Sequence, residues 1–255
     1  MTTALRLSII LITKNEAERL PRCLESVRGL VDEIVVLDSG STDATLEIAQ
    51  RYTDKVHSSP DWPGFGPQKN RALDYATGDW VLSLDADEWL TPELAAEIRQ
   101  TLQAPQAKVY EIPRLSSFCG RPMHHSGWWP DHVAHLFKRG TARFSEDLVH
   151  ERLVFDGYAM ALKGILNHES FRSLEDVLNK ANAYSSHGAQ QAFERGCSGS
   201  LGKAIAHSAW TFIRTYCLKK GFMDGREGLM LAISNAEGVY YRYLKLMHLV
   251  ERNQR

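Results

Sequence analysis

Two aspartates, Asp85 and Asp87, directly follow an apolar stretch at residues 81–84. If that stretch is a strand, alternate side chains point the same way, so both carboxylates lie side by side at its carboxyl end. Carboxylates this close repel each other unless a cation or a proton accompanies them. The spacing indicates a site for Mg²⁺ or Mn²⁺, which take oxygen ligands and can share them with a diphosphate. The alternative is a polar loop whose acids cap the helix beginning near Thr91.

A second dense group of titratable residues lies at the end of the segment 144–151, which contains Glu146, Asp147, His150 and Glu151. A reaction that removes a proton from a hydroxyl needs a carboxylate or an imidazole within hydrogen-bonding reach of it. This segment therefore offers candidates for a general base. Acids on a surface strand with no catalytic role are the alternative interpretation.

The elements that must position these groups alternate between strands and helices. Apolar runs at residues 5–12, 34–37 and 80–84 predict strands, and the first has the pattern of a strand buried on both faces of a parallel sheet. Between them lie helical patterns, the first of which Asn15 is expected to cap. This order predicts an α/β layer architecture in which the carboxyl ends of the strands form the ligand site.

The next part of the chain, residues 113–139, is rich in aromatic residues, histidine, glycine and proline. It is predicted to be a functional loop flanked by strands, followed by a last strand at residues 160–166. Trp128 and Trp129 either stack on a sugar or plug the loop onto the core.

From Ser173 onward the pattern is helical, and Ser173 with Asp176 resembles an N-terminal capping pair. Two domains are predicted, at residues 1–170 and 171–255. The helices mix apolar, aromatic and basic side chains, which suits a helix in a membrane interface. Packing on the catalytic domain or on another subunit would suit them equally well, so the oligomeric state stays open.

Composition limits the classes of partner. The 30 basic and 31 acidic residues nearly cancel, which gives no case for nucleic acid. Four scattered cysteines suggest neither zinc nor disulfides, and no apolar stretch is long enough to span a membrane. A cytoplasmic protein, soluble or peripheral on a membrane, is expected.

Three motifs together carry a resemblance to a known family: residues 9–16, 35–43 and 84–88. Over residues 5 to 170 the chain resembles the family 2 inverting glycosyltransferases, whose catalytic domain has the GT-A fold, a Rossmann-like nucleotide-diphospho-sugar transferase domain. Residues 149–151 and 221–228, with the basic aromatic helix that follows, resemble the branch that builds the lipopolysaccharide inner core. Glucosyltransferases of the WaaE/KdtX type belong to this branch.

The resemblance implies a role for each matching residue. Asp38 would accept a hydrogen bond from the uracil of a UDP-sugar, and Asp85 would lie against the ribose and diphosphate. Asp87 would hold the metal, and His150 would contact the metal or the diphosphate. Glu151 is the favoured base and Asp147 the second candidate. Five further residues would complete the donor pocket: Thr13, Glu16, Ser39, Lys69 and Ala86. Lys138 and Arg139 are expected to give the site a positive lining.

The activity implied is the transfer of a hexose, glucose in this branch, from UDP-glucose to a heptose of the lipid A-core acceptor. The enzyme would lie on the inner face of the bacterial inner membrane. A second possibility is a family 2 enzyme with another UDP-sugar or another lipid-linked acceptor. A nucleotidyltransferase is a further alternative, although residues 13–18 contain no glycine for a phosphate loop. A non-catalytic sugar- or nucleotide-binding scaffold is the last.

Overall fold

The computed structural model describes residues 5–146 and 151–253, which form two compact units. The first consists of the described parts of Met1–Arg114 and Asp131–His168, and the second of Leu115–Pro130 with the described part of Glu169–Arg255. The sequence predicted a single division near residue 170. The second unit also contains the aromatic loop that ends at Pro130.

The first unit is built on a parallel sheet. Strand β1 lies at its centre and pairs in parallel with β2 and β4, while β3 pairs in parallel with β2. Every residue of β1 is buried, as expected for a strand covered on both faces. The predicted α/β layer is confirmed. These strands are β1 Leu7–Thr13, β2 Glu33–Asp38, β3 Val56–Ser58 and β4 Trp80–Asp85.

The sheet continues with antiparallel strands. Strand β8 pairs in antiparallel fashion with β4 and β6, the start of β12 pairs with β5, and β9 and β10 form a separate hairpin. β11 pairs in parallel with β6, and β7 pairs with the carboxyl end of β6. The strands are β5 Glu88–Leu90, β6 Val109–Phe118, β7 Arg121–Pro122, β8 Asp131–Lys138, β9 Ala142–Phe144, β10 Leu153–Phe155, β11 Ala159–Ala161 and β12 Leu166–Phe171.

The single strand predicted at residues 160–166 is wrong, because two strands occupy this region. The chain leaves β11 and passes Gly164, where an ideal Cβ would lie 2.5 Å from the Cα of Leu94, before β12 begins. The close approach to the helix that carries Leu94 interrupts the strand. The helices of the first unit are α1 Leu20–Ser26, α2 Thr45–Gln50, α3 Phe65–Tyr75 and α4 Pro92–Gln103.

Asn15 does not cap α1, contrary to the prediction. The helix begins at Leu20 with Arg19 at its N-cap, and Asn15 has a φ of 57°. The Asn15 Oδ1 accepts a hydrogen bond of 2.7 Å from the backbone N–H of Thr42. The side chain therefore ties the end of β1 to the loop after β2.

Helix α3 is fixed to the last residue of β9 and to the residue after it. The Asn70 side chain donates to the carbonyl of Phe144 and accepts from its N–H, each at 2.9 Å. At Gly66 an ideal Cβ would lie 1.7 Å from the carbonyl oxygen of Ser145 and 3.4 Å from the Cβ of Glu151. The two backbones approach so closely that only glycine fits here.

A buried carboxylate joins the strands at their amino ends. Glu33 begins β2 and accepts hydrogen bonds from the hydroxyls of Ser8 and Thr77, while Lys55 pairs with it. The Thr77 N–H donates a further bond of 2.8 Å. Burial opposes ionisation of this group, but the bonds from Lys55, Ser8 and Thr77 outweigh it and lower the pKa of Glu33 to about 2.

Within the second unit, the described chain from Ser173 onward is helical, as predicted. Ser173 caps α5 by accepting a bond of 3.2 Å from the N–H of Asp176. The helices are α5 Leu174–Glu194, α6 Leu201–Ile213 and α7 Gly225–Asn253, with a π-helical turn at Arg214–Leu218 and a 3₁₀ turn at Gly221–Asp224 between the last two. Within residues 5–146 and 151–253, no helix has the length and apolar character needed to cross a bilayer.

The aromatic loop is anchored within the second unit. The carboxylate of Asp224, which is buried, accepts bonds from the N–H groups of His124 and His125 and from the hydroxyl of Ser126. Trp128 packs against Phe118 and Phe171. Of the two alternatives for Trp128, the observed one is packing against this core.

We expect Glu33→Gln to lower the free energy of unfolding at pH 7 by about 1–3 kcal/mol, because it removes a buried charge that several donors contact. The unfolded glutamate has a pKa of about 4.3. The stabilisation is therefore complete above about pH 5 and is lost as the pH falls toward 2. Urea unfolding at both ends of this range measures it. Glu25→Gln, in an exposed pair with Arg28, is the control and should change stability by less than about 0.5 kcal/mol. An equal effect of both variants would contradict the assignment.

Gly66→Ala should destabilise the protein by about 1–3 kcal/mol, because the added methyl group collides with the Ser145 carbonyl. The matched control is Gly238→Ala in α7, where an added Cβ meets nothing within 4 Å. That control should be stabilised by up to about 1 kcal/mol, since alanine favours a helix. Thermal unfolding of the two variants provides the comparison, and equal stability would show that α3 can move away from Ser145.

Candidate active site

The carboxyl ends of three neighbouring strands meet at one edge of the first unit. In the sheet register Thr13 lies beside Asp38, and Ile12 lies beside Asp85. The predicted convergence of these strand ends is thus present. A ligand at this edge would face side chains from β1, β2 and β4 at once.

Asp38 organises the loop that follows β2. Its Oδ2 accepts the N–H groups of Gly40 and Ser41, at 2.9 and 2.8 Å, and its Oδ1 accepts the hydroxyls of Ser41 and Thr13. A carboxylate has about four lone-pair positions, so these four bonds fill them. The side chain is fully buried. A contact between Asp38 and a uracil ring, which stays a prediction, would have to replace one of these bonds.

Lys69 connects the donor side of the site with the candidate base. Its Nζ lies 2.9 Å from Oδ1 of Asp85 and 2.8 Å from Oε1 of Glu151. The lysine side chain is 9% exposed, so water screens these contacts weakly. One ammonium group therefore holds together carboxylates that are far apart in sequence.

The mutual attraction of Lys69, Asp85 and Glu151 determines the protonation of Lys69 and Asp85. Burial alone would lower the pKa of Lys69, but the carboxylates of Asp85 and Glu151 outweigh it and raise the pKa above the ordinary lysine value. Burial would likewise raise the pKa of Asp85, but the Lys69 ammonium outweighs it and lowers that pKa to about 2. At neutral pH the site therefore contains an ionised Asp85 and a positively charged Lys69.

Asp87 faces a histidine from another strand. Its Oδ2 lies 3.5 Å from Nε2 of His168, which is in β12, and both side chains are largely buried. His168 reaches this position because it pairs with Glu88 in β5, the strand directly after Asp87. Asp85 and Asp87 thus have different partners, one an ammonium and the other an imidazole.

Glu88 holds the backbone of the acidic motif in place. It is fully buried, and its Oε2 accepts a bond of 2.9 Å from the backbone N–H of Asp85. Arg114 lies 3.3 Å from its other oxygen and also binds Asp131. His135 lies 3.7 Å from the same oxygen, and its Nδ1 bonds the carbonyl of Ser83. This network fixes the backbone on which Asp85 stands.

The remaining predicted site residues fall into three groups. Ser39 accepts a bond from the side chain of Gln68, and the Glu16 N–H bonds the hydroxyl of Thr45, so both are within the strand-end loops. Ala86 is buried between the two aspartates. Asp147 and His150 lie outside the described residues.

The expected positive lining by Lys138 and Arg139 is wrong. Strand β8 is antiparallel to β4, so Lys138 pairs with Trp80 at the amino end of β4. Arg139 donates to the carbonyl of Gly78 at the same end. Both cations therefore lie at the amino end of β4, whereas Asp85 lies at its carboxyl end.

Four residues of the site were missed from sequence: Gly66, Glu88, Arg114 and His168. Glu88 directly follows the acidic pair, and this adjacency was the available signal. His168 and Arg114 are brought to the site by strand pairing between distant segments, which no local pattern indicates.

Comparison with known proteins places these features in a family. The profile described as Glycosyl transferase family 2 matches residues 8–167. An uncharacterised glycosyltransferase of Rickettsia prowazekii (strain Madrid E) is 31% identical over 98% of this chain and 89% of its own length. A protein of Rhizobium meliloti (strain 1021) named lipopolysaccharide core biosynthesis glycosyltransferase LpsC is 30% identical over 95% of both chains.

Among solved structures, residues 1–349 of TarS from S. aureus match 98% of this chain and 92% of that one, with 15% identity and a TM-score of 0.50. This likeness concerns the fold alone and agrees with the predicted GT-A class. The family match favours a glycosyltransferase over the nucleotidyltransferase and scaffold alternatives. The profile covers the strand ends, Lys69, the acidic motif and Glu151, and the chain belongs to glycosyltransferase family 2.

Proposed function

We propose that this protein is a metal-dependent, inverting hexosyltransferase that moves glucose from UDP-glucose to a heptose of the lipopolysaccharide inner core. The observation that carries the proposal is the position of Lys69 between Asp85 and Glu151. Asp85 stands at the carboxyl ends of the strands, where open α/β sheets bind their ligands, and Glu151 is a carboxylate able to accept a proton. A donor site and a base held by one side chain suit transfer to a hydroxyl.

The acceptor is proposed from two lines of support. The sequence resembles the WaaE/KdtX type of glucosyltransferase at residues 149–151 and 221–228. The Rhizobium meliloti relative, similar over 95% of both chains, is named for lipopolysaccharide core biosynthesis. Glucose as the donor sugar follows from the resemblance, and a lipid A-core saccharide is the corresponding acceptor.

The acidic motif fits a divalent cation. Asp87 and His168 present an oxygen and a nitrogen 3.5 Å apart, and neighbouring ligands at about 2.1 Å from one ion lie about 3 Å apart. Within the described ranges no group of three or more histidine, cysteine or acidic side chains meets at one point. The other ligands would come from the diphosphate and water, as is common for Mg²⁺. When bound, Mg²⁺ or Mn²⁺ neutralises negative charge on the departing UDP.

The side chains of this protein would carry out proton removal and the positioning of the substrates. The acceptor hydroxyl attacks the anomeric carbon from the face opposite UDP, so that the new C–O bond forms as the bond to UDP breaks. Glu151 takes the hydroxyl proton, and the inverted product results. Lys69 positions Glu151 through its contact of 2.8 Å and places a positive charge near the diphosphate end of the site. Thr13, Asp38 and Ser39 shape the strand-end loop for the nucleoside.

Asp87→Asn should lower kcat/KM by at least about a hundredfold, because a neutral amide is a poor ligand for a hard cation. The assay uses UDP-glucose, Mg²⁺ or Mn²⁺, and core oligosaccharide from a strain that lacks this gene, with the mass increase of one hexose as the readout. EDTA should abolish transfer by the wild type. Asp54→Asn, on an exposed aspartate, is the control and should be fully active. Full activity of Asp87→Asn, or of the wild type in EDTA, would refute metal dependence.

Glu151→Gln should lower kcat by about 10²–10⁴-fold while leaving the KM for UDP-glucose nearly unchanged, because it removes the proton acceptor and keeps the shape. The paired variant is Asp147→Asn, on the second candidate base. The two kcat values decide between the candidates. A large loss in Asp147→Asn with an active Glu151→Gln would reassign the base to Asp147.

A further inference from the structure

Helix α6 exposes most of its apolar side chains. Among its thirteen residues Ala204 is the buried one, whereas Ile205 and Trp210 are 57% and 55% exposed. The π-helical turn that follows ends at Leu218, which is 61% exposed. An isolated exposed leucine needs no explanation, but a run of large apolar residues on one helix marks an interaction surface.

The exposed residues are arranged by helical periodicity. Ile205, Ala209 and Ile213 recur at four-residue intervals and share one face, with Trp210 next to them. Lys203 and Arg214 are eleven residues apart, which is three turns, so they flank this face on one side. We call residues 201–223 the α6 surface; they comprise α6, the π-helical turn and the 3₁₀ turn up to Met223, before the buried Asp224. It combines an apolar face with a cationic edge.

The charge of this region differs from that of the whole chain. Residues 195–223 contain no aspartate or glutamate, whereas the chain as a whole has a net charge of −1. Five basic residues lie in this stretch: Arg195, Lys203, Arg214, Lys219 and Lys220. The partner of the α6 surface must therefore be negatively charged as well as apolar.

A second copy of this chain fits poorly. In a symmetric dimer the same patch contacts itself, so the cations of one α6 surface would face those of the other. An anionic bilayer has both required properties, because acyl chains accept the apolar face and phosphate headgroups attract lysine and arginine. Tryptophan is also a favoured residue at the level of the headgroups.

We propose that the α6 surface binds the protein to anionic membranes, with Ile205, Ile213 and Trp210 inserted at the headgroup boundary. The proposal goes beyond the transfer reaction and does not depend on it, since binding needs neither donor nor acceptor. Its chemical partner is the headgroup layer of an anionic phospholipid. Loss of transfer and loss of membrane binding are therefore separately measurable.

The test is flotation of the intact purified protein with vesicles. Vesicles of equal parts phosphatidylglycerol and phosphatidylcholine should carry the protein upward, whereas pure phosphatidylcholine should not, and added salt should weaken binding. The double variant Ile205→Ser/Trp210→Ser should bind at least about tenfold more weakly. Arg214→Glu/Lys219→Glu should do the same, since each cation near the surface contributes about fivefold or more.

The matched control is Leu178→Ser/Tyr184→Ser on α5, where two exposed apolar residues lie outside the α6 surface. This variant should float like the wild type, and circular dichroism should show equal helix content in all variants. Failure of the wild type to float, or equal flotation of the α6 variants, would overturn the proposal. It would also be overturned by sedimentation showing a wild-type dimer that Ile205→Ser/Trp210→Ser dissociates, since a second copy would then occupy the surface.

Discussion

The candidate site depends on the ion pairs that the buried ammonium of Lys69 forms with two carboxylates. A charged group away from water is tolerated only when opposite charges accompany it, and here Asp85 and Glu151 provide them. Removing either carboxylate leaves a charge without its full balance. The positions of α3, the end of β4 and Glu151 are therefore linked, because each contributes one charged side chain to the group.

The features predicted correctly from sequence are those with a local cause. Strands β1, β2 and β4 are short apolar runs that any buried strand requires, and parallel pairing brings their carboxyl ends together. The cap of α5 depends on Ser173 and the N–H of Asp176, three residues apart. The family motifs add the identity of the acidic pair. In each case the deciding interaction lies within a few residues or follows from a general rule of topology.

The failures share a different cause, which is contact between distant segments. The Asn15 side chain bonds the loop at Thr42 instead of the helix that follows it. Because β8 is antiparallel to β4, Lys138 lies at the amino end of β4, away from Asp85 at the carboxyl end. His168 arrives beside Asp87 through the pairing of β12 with β5. Such placements depend on the register of the whole sheet, and a single sequence contains no local signal for them.

The four hydrogen bonds to Asp38 have a consequence for the thermodynamics of donor binding. They fix the Gly40 and Ser41 backbone before any ligand arrives, so the conformational entropy of this loop is lost during folding. Under the proposed function, a nucleotide at the strand ends would meet this preorganised loop and would lose little affinity to ordering it. The buried carboxylate of Asp38 would then act on binding through the rigidity of the loop that it holds.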